Sequence, residues 1–298
     1  MTDQVSTSER SFFRSLRRSP SLQLVWQLLD LRLARFGLVV LVIFIVLAVF
    51  APWLAPMDPI EIHPRDSLQR PGSEYWLGAD RLGRDQLSRL MYGARVSLSI
   101  AVLGVGIAVI AGVAIGATAG WVGKWPDEIL MRIMDSLASL PNIVLALTLV
   151  AITGGAVGNI ILVVALVQTP SIARVIRSQV LSERERDYVT AAISTGASPF
   201  RVLLRYVIPN TLAPVIIQAS IGFGGAILLE ASLSFLGVGV QAPTPTWGGM
   251  LRNAFEVVSL APFLTFVPGL VLFIVVLSFN FVGDALRDVL DPRLRNVR

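Results

Sequence analysis

Cysteine is absent from this chain, histidine occurs once, at His63, and lysine once, at Lys124. Each absence removes chemistry. Without cysteine there is no disulfide framework, no thiolate metal site and no thiol nucleophile. One histidine in a Pro-rich polar stretch is too few for a multi-histidine metal site and reads as a loop residue. Charge is scarce as well. Asp, Glu, Lys and Arg make up 15% of the residues against 54% apolar ones, and the mean hydropathy is +0.70. A soluble domain of 298 residues cannot cover its surface with so few charges, so the composition is that of a membrane protein.

Several catalytic signatures are missing too. There is no Gly-x-x-x-x-Gly-Lys-[Ser/Thr] phosphate loop. The nearest approach, "TAGWVGKW" at Thr118–Trp125, lacks the leading glycine and the final hydroxyl residue. Neither a Gly-x-Ser-x-Gly elbow nor a His-Glu-x-x-His helix occurs, and no aspartate pair falls at mid-depth of an apolar run. The chain is expected to be no enzyme and to hold no metal or cofactor of its own. Its formal charge of +5 invites a nucleic-acid reading. The cations flank apolar runs, however, where membrane topology places them, and no nucleic-acid partner is expected.

What is present is a series of apolar runs near the roughly 20 residues a bilayer core demands of a helix. Six spans are expected, at 36–55, 96–123, about 128–153, 160–180, about 207–230 and 261–283. The turn-rich "TGGAVGN", Thr153–Asn159, separates the third from the fourth. Residues 231–251 are also uncharged, but their Gly and Pro content argues against a further continuous helix. The expected organisation is a tail with an interfacial helix at 1–35, a first span and outer loop at 36–95, a five-helix core at 96–283 and a second tail at 284–298. The interfacial helix covers Ser19–Gly37, with Leu22, Trp26, Leu29 and Leu33 at helical spacing; an extended first span is the alternative. No cleavable leader is expected.

With the N-terminus inside, 18 of the 25 Lys and Arg residues fall on the inner side, which places both termini in the cytoplasm. Six arginines from Arg65 to Arg95 run against that rule. Arg132 and Asp135, one turn apart, suit a local ion pair. Gly104, Ala108, Gly112, Gly116 and Gly120 recur every four residues, so another helix can approach closely. Glu230, at the far end of the fifth span, is the best candidate for an ionisable group on a translocation path; the plainer reading is an interfacial carboxylate.

One charged segment interrupts the apolar runs: "ERDYVTAAISTGASPFRVLLRYVIPN", Glu185–Asn210. Ser182-Glu183-Arg184-Glu185 has the capping-box form, and Asp187 offers a slightly later cap. Val189, Ala192, Ile193 and Gly196 then fall on one small apolar helical face, suited to insertion in a cleft. Gly196 can end the helix with positive φ. Ser198-Pro199 can start a second helix, which Pro209 interrupts before the next span. Physically this suits a lever joined to a membrane helix; an ordinary surface helix-turn-helix linker is the alternative.

The spacing resembles the Glu-Ala-Ala loop of ABC-importer permeases: Glu-Ala-Ala, three residues, Gly, nine residues, Ile-x-Leu-Pro. Here it reads Thr190-Ala191-Ala192, Gly196, then Tyr206-x-Ile208-Pro209, with Thr190 in place of the Glu. "WLGADRLGRDQLSRLMYGARVSL" at Trp76–Leu98, "SFLGVGVQAPTPTWGGML" at Ser234–Leu251 and "FNFVGDALRDVLDPRLR" at Phe279–Arg295 are similar to the dipeptide/oligopeptide permease C-type subunits. The resemblance implies a type I ABC-importer permease in the bacterial inner membrane. Its implied partners are a homologous B-type permease, two ATPases that bind ATP and Mg, and an extracytoplasmic solute-binding protein. It implies ATPase coupling through Asp187, Tyr188, Val189, Thr190, Ala191, Ala192, Ile193, Gly196 and Pro209. Pro243, Pro245 and Trp247 are the candidate contact with the binding protein, on a loop that prolines stiffen; a re-entrant helix cap or a plain loop is the alternative. Dipeptides or short peptides are the expected cargo. A C-type permease for nickel chelates or glutathione is the runner-up, and an ion-coupled transporter using Glu230 is the reading from another class.

Overall fold

The computed structural model describes residues 27–290. Most of the expected interfacial helix, and the tail 291–298, lie outside them. Besides helical residues 27–30 and a 3-10 turn at Pro64–Asp66, the described residues form nine α-helices, each placed where apolar runs and local breakers put it: α1 Arg32–Leu54, α2 Gln86–Val122, α3 Lys124–Ala138, α4 Asn142–Thr153, α5 Val157–Arg184, α6 Asp187–Ser194, α7 Pro199–Phe235, α8 Trp247–Phe255 and α9 Pro262–Leu290. Extended backbone at Leu31 (φ −81°, ψ 119°) separates α1 from the helical residues 27–30, so the first span is not simply prolonged toward the N-terminus. Extended backbone at Ala55, the residue before Pro56, ends it.

Five helices, α1, α2, α5, α7 and α9, are long and apolar enough to cross a bilayer. The expected third span is not one helix. It is α3 and α4, bent by 90° at a short break, and the two make a sixth span only if counted together. Pro141 supplies the break, since it disfavours helical backbone at Leu140 before it. The amphipathic α3 exposes Trp125, Ile129 and Ile133 on one side and Glu128, Arg132 and Asp135 on another. No Arg132–Asp135 pair forms among the described residues. Asp127 instead accepts two bonds from Arg177 on α5, at 2.5 and 2.7 Å. α2 starts at Gln86 rather than near residue 96, because Asp85 caps it by accepting from the Ser88 N–H at 2.7 Å.

The helices run between two ends. One end gathers the start of α1, the end of α9, α3 and α6; there Leu28 and Ala34 pack against Ala285. The other end carries residues 55–85 and the stretch from α7 through α8 to α9. α2 and α5 form the closest seam in the fold. A Cβ added at Gly104 would lie 2.6 Å from Val164, one at Gly112 2.7 Å from Ile172, and one at Gly120 2.9 Å from the Arg177 carbonyl; one at Gly116 would enter the Ala173 carbonyl. The four-residue stripe read from the sequence is thus the α2 side of the α2–α5 contact.

The long loop before α2 folds into a polar cap closed by an isolated bridge between Ala79 and Asp85. Asp80 is its hub. It accepts from the Leu82 and Arg84 N–H groups at 2.9 and 3.1 Å and from Arg84 Nε at 2.7 Å, with Arg89 Nε 3.6 Å away. Arg89 also donates to the Pro59 carbonyl at 2.8 Å. Asp80, Arg84, Asp85 and Arg89 are all buried. The arginines that run against the charge rule are therefore partly a folded core of this loop.

Two outcomes test this packing, both read as thermal unfolding of the purified protein in detergent. Gly116→Val should cost about 1–3 kcal/mol or more through overpacking, whereas Gly106→Val, where an added Cβ meets nothing within 4 Å, should be neutral. Asp80→Ala should cost about 3–5 kcal/mol, since it leaves buried guanidinium groups without their counter-charge.

Candidate functional site

The charged segment becomes α6 and the start of α7. Ser182–Glu185 is not a capping box: α5 runs through Arg184, and Arg186 is the residue before α6. Asp187 is the first helical residue, where its charge suits the helix N-terminus. Gly196 does take the left-handed conformation, φ +88°, and α7 starts at Pro199, although the Ser198 side chain makes no capping bond. Pro209 does not interrupt. A π-helical turn at Leu203–Val207, with the Ile208 N–H donating to Leu203 O, precedes it and carries the helix straight into the span. The wider turn relieves the clash a proline ring makes with the carbonyl four residues back.

The expected docking face is divided. Val189 is 1% exposed and packs with Ile176, Val180, Val202 and Val207, and Ala192 lies half-buried against the same cluster. Those two residues hold α6 to its own protein. Asp187, Thr190, Ala191 and Ser194, at i, i+3, i+4 and i+7, form the free face, flanked by exposed Ile193 and Phe200. Tyr188 welds the helix down: its hydroxyl donates to Glu183 at 2.5 Å and accepts from Asn210 at 3.2 Å. Burial first, then the Glu183 bond, raises the phenol pKa, so it stays a donor. Asn210 also donates to the Tyr206 carbonyl at 2.9 Å. Arg184 donates to the Gly120 and Trp121 carbonyls at 3.3 and 3.2 Å, tying the end of α5 to the end of α2. Asn210 and Arg184 were not singled out from sequence; their partners are fixed only by the packed helices.

Glu230 is enclosed by protein rather than exposed. It is 0% exposed near the far end of α7 and accepts from Ser97 on α2 at 3.1 Å and from Ser234 at 2.8 Å. Ser97 Oγ also accepts from the Trp247 N–H at 3.4 Å, and Ser234 Oγ from the Val240 N–H at 3.3 Å. Trp247 is likewise 0% exposed. Its indole N–H donates to the Leu90 carbonyl at 3.1 Å, and its ring packs edge-on against Phe44 with centroids 5.6 Å apart. Pro245 is buried too, so of Pro243, Pro245 and Trp247 only Pro243 presents a surface to another protein. A buried indole usually needs a partner for its N–H, and here a backbone carbonyl provides it.

A cleft of about 590 Å³ opens at this end between the end of α1, α2 and the loop before α8. Arg95 and Asp58 are on its wall, with Tyr92 and Thr244. No motif marked it, because its walls come from three distant parts of the chain.

Comparison with known proteins agrees with this architecture. A family profile described as binding-protein-dependent transport system inner membrane component matches residues 112–296, and one described as the N-terminal TM domain of oligopeptide transport permease C matches residues 11–71. The chain is 41% identical over 278 residues to the dipeptide transport system permease protein DppC of Alkalihalophilus pseudofirmus, covering 93% of this chain and 91% of that one. It is 42% identical over 266 residues to the di/tripeptide transport system permease protein DppC of Pseudomonas aeruginosa (87% and 88% covered). To the glutathione transport system permease protein GsiD of Escherichia coli it is 37% identical over 294 residues (98% and 93%). A chain of the MetNI methionine ABC transporter in inward-facing conformations shares the fold at a TM-score of 0.55 and 19% identity, covering 66% of this chain and 94% of that one. The chain is a multi-pass inner-membrane protein and belongs to the binding-protein-dependent transport permease family, as an oligopeptide-permease C-type subunit of the ABC-transporter kind.

Proposed function

We propose that this chain is one of two membrane subunits of an ATP-driven importer of short peptides, and that α6 is the helix an ATPase subunit grips. The relatives named for dipeptide, di/tripeptide and glutathione transport support the cargo class. The observation that carries the coupling role is the construction of α6: a short helix bonded down by Tyr188, Val189 and Ala192, with Asp187, Thr190, Ala191 and Ser194 left free. Both chain ends and α6 then face the cytoplasm, and the partners are a B-type permease, two ATPases holding ATP and Mg, and an extracytoplasmic solute-binding protein.

The force path follows from chain continuity. α7 is one helix of 37 residues, about 55 Å long at 1.5 Å per residue. It starts beside α6 and ends just beyond Glu230. ATP-driven closure of the ATPase pair moves α6, and α7 carries that displacement to the opposite end. There Glu230 links α7 to α2 through Ser97, and Ser234 holds the loop that leads to α8. Glu230 thus acts as an anchor of the outer end rather than as a lining group of the translocation path. Pro243 offers the binding protein its contact.

Ala191→Arg should leave the complex in the membrane with an unchanged unfolding temperature but abolish peptide uptake and binding-protein-stimulated ATP hydrolysis in proteoliposomes. Full uptake by this variant overturns the assignment of α6. Glu230→Ala should preserve ATP hydrolysis while lowering the number of peptides moved per ATP; an unchanged ratio refutes the anchor role.

A further inference from the structure

Resting on the importer reading, we propose that the outer cleft is a site for a short zwitterionic peptide, with Arg95 taking the carboxylate and Asp58 the α-ammonium group. The cleft's volume of about 590 Å³ falls within the roughly 300–1,000 Å³ usual for small-molecule sites. Arg95 and Asp58 are the two formally charged residues of its lining, one of each sign among otherwise uncharged groups. They make no ion pair with each other, and Arg95 has no hydrogen-bond partner among the described residues. The neighbouring arginines on the same cap behave differently: Arg84 and Arg89 are buried and bonded to Asp80 and to the Pro59 carbonyl. Arg95 stands on α2 just before the second apolar run begins at Val96, and its side chain, like that of Asp58, is exposed and open to a ligand. Asp58 spends one oxygen on the Ile60 N–H at 2.8 Å, and its other oxygen accepts nothing among the described residues.

A zwitterionic ligand completes both groups at once. The planar guanidinium fork matches a carboxylate through two parallel bonds. The free Asp58 oxygen accepts from an ammonium, and the hydroxyls of Tyr92 and Thr244 on the same wall suit a peptide group between the ends. Recognition of this kind reads the two termini and ignores side chains, which fits a permease that must pass many sequences. Thr244 and Pro245 belong to the loop held by Ser234, so an occupied cleft touches the segment that α7 moves.

The experiment uses the complete complex in lipid nanodiscs, without the binding protein, and equilibrium dialysis of radiolabelled alanyl-alanine, N-acetyl-alanyl-alanine and alanyl-alanine amide. The wild type should bind the free dipeptide about tenfold more tightly than either capped form, as loss of one charge-assisted contact implies. Arg95→Gln should weaken the free dipeptide about tenfold and leave the amide unchanged; Asp58→Asn should do the same relative to the N-acetyl form. Arg95→Lys should restore most of the affinity, which a packing defect would not allow. Equal binding of capped and free peptides, or full affinity in either neutral variant, overturns the site. Nanodiscs with and without phosphatidylethanolamine separate a peptide from a headgroup of the same chemistry. Peptide occupancy that persists in both supports the proposal, and Arg95-dependent retention of that lipid with no peptide binding overturns it. Binding-protein-dependent uptake by the wild type is read in parallel. Its absence overturns the importer reading along with the site, whereas its presence beside indifferent capping overturns the site alone.

Discussion

Between Gly104 and Gly120 the backbone of α2 meets α5 with nothing larger on its stripe than the Ala108 methyl group, and this close approach holds the rest of the fold in register. Tightly apposed helices have little freedom to slide, because every neighbouring atom is already in contact. α2 carries the polar cap and Ser97 at one end and the Arg184 contact at the other. α5 ends where α6 begins. The pair is therefore a fixed mast. By contrast, α7 meets α5 across Gly222 and Gly225, where an added Cβ would find ordinary contacts of 3.5–3.7 Å to Gln168 and, at Gly222, of 3.7–3.9 Å to Val105 of α2. Among the described residues the direct hydrogen bond across it runs from Gln168 to the Gly222 carbonyl at 2.9 Å. That contact is looser, and α7 is the helix that must transmit movement if the chain works as a lever.

The two ends of the molecule solve different electrostatic problems. At the α6 end, exposed charges stay in water and cost little. At the other end the cap buries Asp80 with Arg84 and Arg89, and the helix interface buries Glu230 among hydroxyls. Burying ionisable side chains is tolerable when their polar atoms find partners, as Asp80, Arg84, Arg89 and both Glu230 oxygens do here. They set the positions of α2, α7 and α8 relative to one another more sharply than apolar packing alone would.

What could be read in advance was whatever a single stretch of chain decides. Each apolar run had to become a helix because lipid leaves backbone groups no other partner. Gly196 and Pro199 mark their own conformations locally. The break at Pro141 was hidden because apolar residues continue on both sides of it. Asp127 beat Asp135 for an arginine 50 residues away, a choice only the α3–α5 geometry makes. The inner and outer faces of α6 could not be told apart because Val189 and Ala192 are as apolar as a docking face should be. The burial of Glu230 was hidden because Ser97, its partner, is 133 residues distant. Trp247 reads as a loop aromatic until the Leu90 carbonyl is brought beneath it.

The π turn at Leu203–Val207 holds one residue more than an α-helical turn would. Each residue of a helix accounts for about 100° of rotation and 1.5 Å of rise. If that extra residue were absorbed into regular helix, everything on one side of it would turn by a third of a circle against everything on the other. The turn is thus a phase setter. It decides which side of the span faces α5 for a given seating of α6, and the proline at 209 keeps it from moving further along the rod.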